Sequence, residues 1–336
     1  MSAQFGQFTS LVSDLRGIIR EYGGSQILRE FLQNADDAGA KQFKVLLDIR
    51  HRGYETRSLL QPSLVEFQGA SLYCYDDVEF KEQDYVSIQR VGDGLKRGDP
   101  TKTGQFGLGF NSCYHLTDLP CFISGKNLVM FDPHRRHLPS VVQGGEPSTG
   151  RVFDLSKPLD ERGNVTNDSG GLCFAERFPD QIAPFVGIFG CDGRGAWDDD
   201  TTEGDSKTGT SGHGTLFRLP LRTKSVAQAS MIKRSSSGID AHSIYDDVVV
   251  PFMKEANSCL LFLRHVENIE VYLLTDAAKS TSDMTCIYKA SIDDMNAEKR
   301  MLRQSQLSMV KHFMSLAEMQ MKANCNARTK WKDRSP

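Results

Sequence analysis

One ten-residue stretch, residues 29–38, constrains this chain most, because it combines strong helix formers with an ordered set of polar side chains. It contains no Gly or Pro, and Gly39 follows it where a left-handed residue commonly ends a helix. On a turn of 3.6 residues, Glu30, Asn34 and Asp37 fall on one face. Two carboxylates and an amide aligned on a mostly apolar helix indicate a binding site, since burying them unpaired is costly.

An ordinary amphipathic helix gives a second interpretation of this stretch, in which the polar residues form a solvated stripe. A second signal, the sequence GQFGLGF at residues 104–110, shifts the balance towards a site. Its glycines allow the backbone to approach a ligand, and their N–H groups can point at an anion. A helix predicted to begin just after them would add its positive end. Each signal is weak alone, because glycine-rich loops also serve as plain turns.

Composition limits the class of protein and its compartment. The 336 residues are 39% hydrophobic and 25% charged, which is typical of a soluble globular protein. A net charge of -3 gives no field that favours nucleic acid or an anionic membrane. Eight cysteines without a C-x-x-C pair, and no signal-peptide pattern, indicate reduced thiols in a cytoplasmic protein. No apolar run approaches the roughly 18 residues that a membrane helix needs.

Periodicity of the apolar residues predicts an alternation of helices and strands. The predicted helices cover residues 10–22, 82–91, 242–263 and 295–323, and the predicted strands cover 43–49, 65–75, 121–124, 128–131, 215–221 and 269–274. The standard phosphate-loop pattern and the H-E-x-x-H zinc motif are both absent from the sequence.

The order of these motifs resembles that of the GHKL ATPases. A helix with E-x-x-x-N-x-x-D is followed by a strand with Asp76 and Asp77 at its C-terminal end, the glycine motif, and a strand opening with Gly214 and Thr215. The group includes gyrase, the ninety-kilodalton heat-shock chaperones, histidine kinases and MutL-type repair proteins. More narrowly, the chain is similar to the N-terminal repeat of the sacsin family over about residues 5–275. The segments that carry this similarity are residues 33–40, 106–112, 114–120, 131–134, 185–190 and 217–222.

The resemblance implies an α/β two-layer sandwich (α+β) with the Bergerat or GHKL ATPase fold, over residues 1–222. The composition changes after that point. We expect residues 223–290 to form a linker and a helix–strand segment of a partial second domain. Residues 291–336 are expected to form a helical segment with a basic, disordered tail.

The resemblance also implies a role for particular residues. Glu30 would be the general base that orients the attacking water, and Asn34 would ligate the Mg²⁺ that bridges the phosphates of ATP. Asp77, or failing that Asp76, would accept a hydrogen bond from the adenine amino group. The other implied nucleotide contacts are Asp37, Ala38, Lys41, Thr215, Gly104, Gln105, Phe106, Gly107, Leu108, Gly109 and Phe110.

One departure leaves two functions open. The chaperones carry D-x-G-x-G where Asp77 is followed by Val78, Glu79 and Phe80, so side chains occupy space that glycines leave open. Sacsin-type sequences lose these glycines too. The first function is a chaperone-like module in protein folding or quality control that binds Mg-ATP and is at most a weak ATPase. Its partners would be client proteins or other chaperones, not nucleic acid or membranes. The second is a non-catalytic interaction scaffold without useful nucleotide binding.

Overall fold

A mixed sheet of eight strands runs through the part of the chain that the structure describes, and it confirms the predicted α/β class. In this computed structural model the described residues are 10–21, 23–50, 55–89, 91, 109–141, 144–166, 171–195 and 213–292. The strands are β1 Gln42–Asp48, β2 Ser71–Asp76, β3 Cys121–Ser124, β4 Asn127–Phe131, β5 Gly150–Asp154, β6 Thr215–Pro220, β7 Asn268–Leu274 and β8 Thr285–Ser291. Their order is β5-β4-β3-β6-β2-β1-β7-β8, and within it β1 and β7 are parallel.

Helices connect these strands, and several are short. The α-helices are α1 Leu11–Glu21, α2 Ile27–Ala38, α3 Glu82–Ile88, α4 Phe174–Arg177, α5 Pro179–Ile182, α6 Lys224–Ala229, α7 Ala241–Ile244 and α8 Val250–Leu260. A π-helical turn, Tyr245–Val249, joins α7 to α8. Short 3-10 helices cover Gly24–Gln26, Pro62–Phe67, Phe110–His115 and Thr281–Asp283.

Helix α2 lies on the sheet with the face that its sequence predicts. Its buried residues include Ile27, Phe31 and Ala35, which recur at i, i+4 and i+8. The helix ends at Gly39, whose φ of 93° places it in the left-handed region. Both the helix and its end are therefore confirmed.

Alternation along the strands divides the buried side chains between two cores. Phe43, Val45 and Leu47 of β1 point to the face covered by α1, α2, α7 and α8. Leu46 points to the opposite face, where the Pro62–Phe67 helix, α4 and α5 pack. The predicted two-layer arrangement left out this second cover. Its short helices and irregular loops have no sustained period for a sequence pattern to detect.

Residues beyond the predicted boundary at 222 continue the same sheet and core within the described part of the chain. Strand β7 pairs with β1, and β8 pairs with β7. Phe252 of α8 packs on Phe43 of β1 with ring centroids 6.2 Å apart. No helix in the described residues is long and apolar enough to cross a membrane.

Candidate functional site

The turn of α2 that bears Glu30 packs directly on Gly109. A Cβ atom at residue 109 would collide with Oε2 of Glu30, so a larger residue there would require the Glu30 side chain to move. Glu30 is partly buried, and this burial raises the pKa of its carboxyl above the ordinary range. Among the residues that the structure describes, Glu30 has no hydrogen-bond or ion-pair partner. A carboxylate held in this way is available to a ligand or a water molecule.

Asn34 follows Glu30 by one turn of α2 and is also partly buried. Its amide likewise has no partner within the described ranges. No group of three or more His, Cys, Asp or Glu side chains able to hold a metal occurs in those ranges. A magnesium ion at this position would therefore take the Asn34 amide oxygen together with phosphate oxygens and water, a set that Mg²⁺ accepts.

Two carboxylates near the C-terminal end of α2 are fully engaged. Asp36 is buried and accepts hydrogen bonds from the backbone N–H groups of Arg264, His265 and Val266, at 3.0, 2.6 and 3.0 Å. Asp37 accepts from the Arg264 guanidinium at 2.6 Å. These contacts attach α2 to the segment that enters β7. Asp37, predicted as a nucleotide contact, lies in this attachment.

The connection between α2 and β1 holds three other predicted nucleotide contacts. Ala38 is exposed on the last turn of α2. Lys41 forms an ion pair with Glu267, with 3.2 Å between Nζ and Oε1. Oδ1 of Asp77 accepts from the backbone N–H groups of Lys41 and Gln42, at 2.8 and 3.1 Å. Asp77 thus holds the connection between α2 and β1 through these two hydrogen bonds.

Asp76 is the carboxylate at the end of β2 that faces the helices. It alternates with Tyr75 and shares the face of Cys74, which belongs to the core under α2. Burial raises the pKa of its carboxyl well above the ordinary range, and Oδ1 accepts from the backbone N–H of Val78 at 3.1 Å. Of the two neighbouring aspartates, only Asp76 lies within β2 and on the face of the helices.

A row of polar residues crosses the sheet at this end. Asp76, Thr215, Ser124 and Asn127 are paired in register across β2, β6, β3 and β4. The hydroxyls of Ser124 and Thr215 lie 2.8 Å apart. These hydroxyls also bond to the backbone of the segment that follows β2: Ser124 accepts from the Phe80 N–H at 2.7 Å, and Thr215 donates to the Val78 carbonyl at 2.7 Å. The segment that follows β2 therefore supplies hydrogen-bond partners to both hydroxyls of the row.

Phe80 fills the space beside this row. Its ring lies 4.8 Å from that of Phe122 and 6.0 Å from that of Phe217, by centroids. Phe31 of α2 packs 5.0 Å from the same Phe217 ring. Phe80 and Phe31 of α2 thus pack on the same Phe217 ring. The Phe80 ring thus occupies space after β2, as the sequence analysis expected for the side chains that follow Asp77.

A family model described as "Sacsin domain" matches residues 9–286. The chain belongs to the sacsin domain family. Sacsin of Homo sapiens is 34% identical over 274 residues, which are 80% of this chain and 5% of the sacsin sequence. The chain thus spans only a small part of that relative. A solved structure described as the N-terminal domain of a DNA repair protein covers 84% of this chain and 56% of its own, with a TM-score of 0.36 and 10% identity. A likeness at that level supports no inference.

In this sacsin domain the glycine motif straddles the edge of the described chain. Gly104, Gln105, Phe106, Gly107 and Leu108 lie outside the described residues. The remaining two positions are described: Gly109 packs on Glu30, and Phe110 is buried. The helix predicted after the glycines is the six-residue 3-10 helix Phe110–His115.

A buried ion pair fastens the end of this 3-10 helix to β6. Nε of Arg222 donates to Oδ1 of Asp118 at 2.7 Å. The same guanidinium donates to the carbonyls of His115 and Thr117, at 2.8 and 3.0 Å, and to that of Tyr114. The sequence analysis gave these residues no role beyond their place in the similar segments. The bonds show that they fix the position of the residues that follow Gly109.

A cavity of about 190 Å³ lies apart from Glu30 and Asn34. It is bounded by α1, α3, the Phe110–His115 helix and strands β4 and β5, and most of its lining is apolar. Phe110 borders this cavity and also contacts Phe31 of α2, with ring centroids 6.2 Å apart. Its lining has no counterpart to the unpartnered carboxylate and amide of α2.

Proposed function

We propose that this sacsin domain binds Mg-ATP against α2 and hydrolyses it slowly, as a chaperone-like module with a Bergerat or GHKL-type fold. The observation that carries this proposal is the contact of Glu30 with Gly109, with Asn34 one turn away. Both polar side chains are without partners in the described ranges, although each is partly buried. Such an arrangement is costly unless a ligand uses it.

The proposed roles follow from the chemistry of each group. Asn34 would hold Mg²⁺ through its amide oxygen. Glu30 would orient water and accept its proton, and the raised pKa of its carboxyl makes it a better base. Gly109 would keep the backbone close to the phosphates, together with residues 104–108. Mg-ATP would supply the phosphoanhydride bond that is broken. Any contact with the base would fall to Asp76, because Asp77 is engaged with the chain connection.

A non-catalytic scaffold is the second candidate, and Phe80 is the observation that favours it. Its ring packs among Phe122, Phe217 and Tyr85, beside the polar row at the end of the sheet. Asp37 and Lys41 are also engaged in ion pairs. On this reading the domain keeps the fold, and the nucleotide site has been filled.

A thermal-shift titration of the whole chain with Mg-ATP separates the two candidates. A ligand present at a hundredfold excess over its Kd adds about 2.7 kcal/mol of stability. A concentration-dependent shift supports the nucleotide-binding module. No shift at millimolar Mg-ATP favours the scaffold.

Single-turnover hydrolysis then tests the catalytic role. Glu30→Ala should leave ATP affinity within a few-fold and lower turnover by roughly 10²–10⁴-fold, the usual range for loss of a general base. Asn34→Ala should weaken binding and turnover together, because the metal ligand is lost. Glu255→Ala is the matched control, since this carboxylate on α8 pairs with Arg29 and should leave both quantities unchanged. Equal rates for the wild type and Glu30→Ala would remove the catalytic claim.

The cell compartment and partners belong to the same proposal. The seven cysteines in the described part of the chain are all free thiols, which is in keeping with the cytoplasm. The partners would be client proteins or other chaperones. The measurement is aggregation of an unfolded client in the presence of the chain, with and without Mg-ATP. A chaperone-like module should delay aggregation, and nucleotide should change the delay.

A further inference from the structure

We propose that His134 is a pH-sensitive switch, whose neutral imidazole holds residues 231–233 on the fold and whose protonation releases them. The switch lies outside the Glu30 site and goes beyond the proposed function. It consists of one hydrogen bond, the burial around that bond, and the contacts that residues 231–233 make with the rest of the fold.

The hydrogen bond fixes which ring nitrogen of His134 carries the proton. The Met231 N–H donates to Nε2 of His134 at 2.9 Å. A backbone N–H can only donate, so Nε2 is the unprotonated nitrogen, and the proton of the neutral ring is on Nδ1. Nδ1 lies 3.9 Å from Oδ2 of Asp118. A second proton would be added at Nε2, where it would face the Met231 N–H, and the hydrogen bond would be lost.

Burial converts the loss of this bond into a movement of the chain. Only 2% of the His134 side chain is exposed, so water cannot replace the lost acceptor unless residues 231–233 move. A buried N–H without a partner is costly, and so is a buried imidazolium. Burial accordingly lowers the pKa of His134 from its ordinary value. The movement would take place about Ser230, whose hydroxyl donates to Asp118 at 3.0 Å and does not titrate.

Charged groups of both signs face the His134 ring. Asp118, on the segment before β3, and Asp132, on the loop after β4, favour the imidazolium. Arg136 of that loop and Arg222 at the end of β6 oppose it. Asp118 is already paired with Arg222, with 2.7 Å between Nε and Oδ1, so it is only partly available to a charged imidazole. The charges therefore oppose one another, and burial determines the direction in which the pKa moves.

Residues 231–233 connect α1 to the 3-10 helix that carries His115. Nε of Arg16 on α1 donates to the Met231 carbonyl. Nζ of Lys233 lies 3.2 Å from Nδ1 of His115, and a lysine ammonium only donates, so this contact too requires a neutral imidazole. Ile232 is buried in the core on the α2 side of the sheet. Release would therefore detach α1 at this point and expose part of that core.

Amide hydrogen exchange of the full chain, resolved for single residues by NMR, measures the release. The opening constant of residues 231–233 should rise by up to about tenfold for each pH unit below about 6.5, because the open form takes up a proton that the closed form excludes. Exchange at the Met231 amide, corrected for the pH dependence of the chemical step, should therefore speed up about tenfold between pH of about 6.5 and about 5. The Ile239 amide donates to the Arg222 carbonyl at 2.8 Å and should keep its protection. Equal protection of Met231 at both pH values would overturn the proposal.

Two substitutions separate the acceptor from the charge. His134→Gln keeps an acceptor that does not titrate, so exchange at Met231 should be slow and independent of pH. His134→Phe removes the acceptor, so exchange should be fast at both pH values. His242→Gln, at an exposed histidine on α7, is the matched control and should keep the wild-type profile. A wild-type pH response in His134→Gln would contradict the assignment to His134.

The nitrogen chemical shifts of the wild-type imidazole give a test that needs no variant. The hydrogen bond from Met231 requires that neutral His134 carries its proton on Nδ1. Finding the proton on Nε2 at neutral pH would overturn the proposal, whether or not the His134 variants fold.

Discussion

Helix α2 carries two polar pairs less than two turns apart, and their surroundings are opposite. Asp36 and Asp37 receive four hydrogen bonds from residues 264–266, and they hold the helix on the segment before β7. Glu30 and Asn34 receive none from the described residues, although burial raises the pKa of Glu30. The same helix therefore has one end that is bonded to the rest of the fold, and a middle turn whose two polar side chains have no partner among the described residues.

The contrast shows that residue type and helix position do not decide what a carboxylate does. Asp37 shares a helical face with Glu30 and Asn34, and the sequence suggested one common role for all three. The guanidinium of Arg264 separates them, because it pairs with Asp37 and Asp36 and not, within the described residues, with Glu30. A polar side chain has a structural role when the fold places hydrogen-bond donors beside it. It remains available to a ligand when the fold buries it without such donors.

The largest effect is expected for Asp36→Ala. Three backbone N–H groups lose a buried charged acceptor, and each such bond contributes about 1.5–3 kcal/mol. Because the segment can partly relax towards water, we expect a net loss of roughly 3 kcal/mol in the free energy of unfolding. Urea denaturation measures it. Asp37→Ala is the control and should lose under about 1 kcal/mol, since Arg264 is partly exposed. Equal losses would remove the distinction between the two carboxylates.

A smaller effect is expected for Asp77→Ala. It removes the acceptor of the Lys41 and Gln42 N–H groups, which lie nearer to solvent than the partners of Asp36. We expect a loss of about 1–2 kcal/mol, with less in Asp77→Asn because an amide oxygen still accepts. Thermal or urea unfolding measures the stability, and nucleotide titration accompanies it. If nucleotide affinity falls while the stability is unchanged, Asp77 contacts the nucleotide, as the resemblance implied.

Ser112→Ala examines a buried hydroxyl near the open turn. Ser112 is fully buried, and its Oγ has no hydrogen-bond partner in the described part of the chain. Removing an unsatisfied buried group should leave stability unchanged or raise it by up to about 1 kcal/mol. Differential scanning calorimetry measures the change. A loss above 1 kcal/mol would mean that the hydroxyl has a partner in the folded protein.

The smallest effect is the pH dependence of Glu30. Burial raises the pKa of this carboxyl in the folded state, so the folded protein binds more protons than the unfolded one just above the ordinary pKa. Stability should therefore fall as the pH rises through the interval between the two values. Glu30→Gln removes this term and should be more stable than the wild type at pH 7, by about 0.5 kcal/mol. The difference should vanish below the ordinary pKa. A gap that persists at acid pH would exclude the desolvation cause.

Much of the local structure follows from the sequence. Helix α2 with its end at Gly39 and the β3–β4 hairpin around Gly125 carry strong periodic and turn signals. That side chains take space after Asp77 could also be predicted, since Val78, Glu79 and Phe80 stand where the chaperones have a glycine-rich segment. These features depend on neighbours in the chain, and such neighbours are visible in a pattern.

The rest depends on partners that are far away in sequence. Nothing near Asp36 or Asp77 shows that backbone N–H groups will meet their oxygens. The pairing of β7 with β1 depends on which apolar strands fit side by side, and alternation alone does not select among them. Only the register could assign Asp76, and not Asp77, to the face of α2.

The parallel pairing of β1 and β7 also determines how long β1 of a nascent chain waits for its partner strand to be synthesised. Residues 42 and 268 are partners, although their positions in the chain differ by 226. At about 5–20 residues per second, roughly 11–45 s pass between their synthesis. During that interval one edge of β1, with its apolar run, has no strand beside it, and unpaired edges attract other chains. Nascent copies on one messenger are therefore exposed to mutual pairing for a time set by the speed of translation.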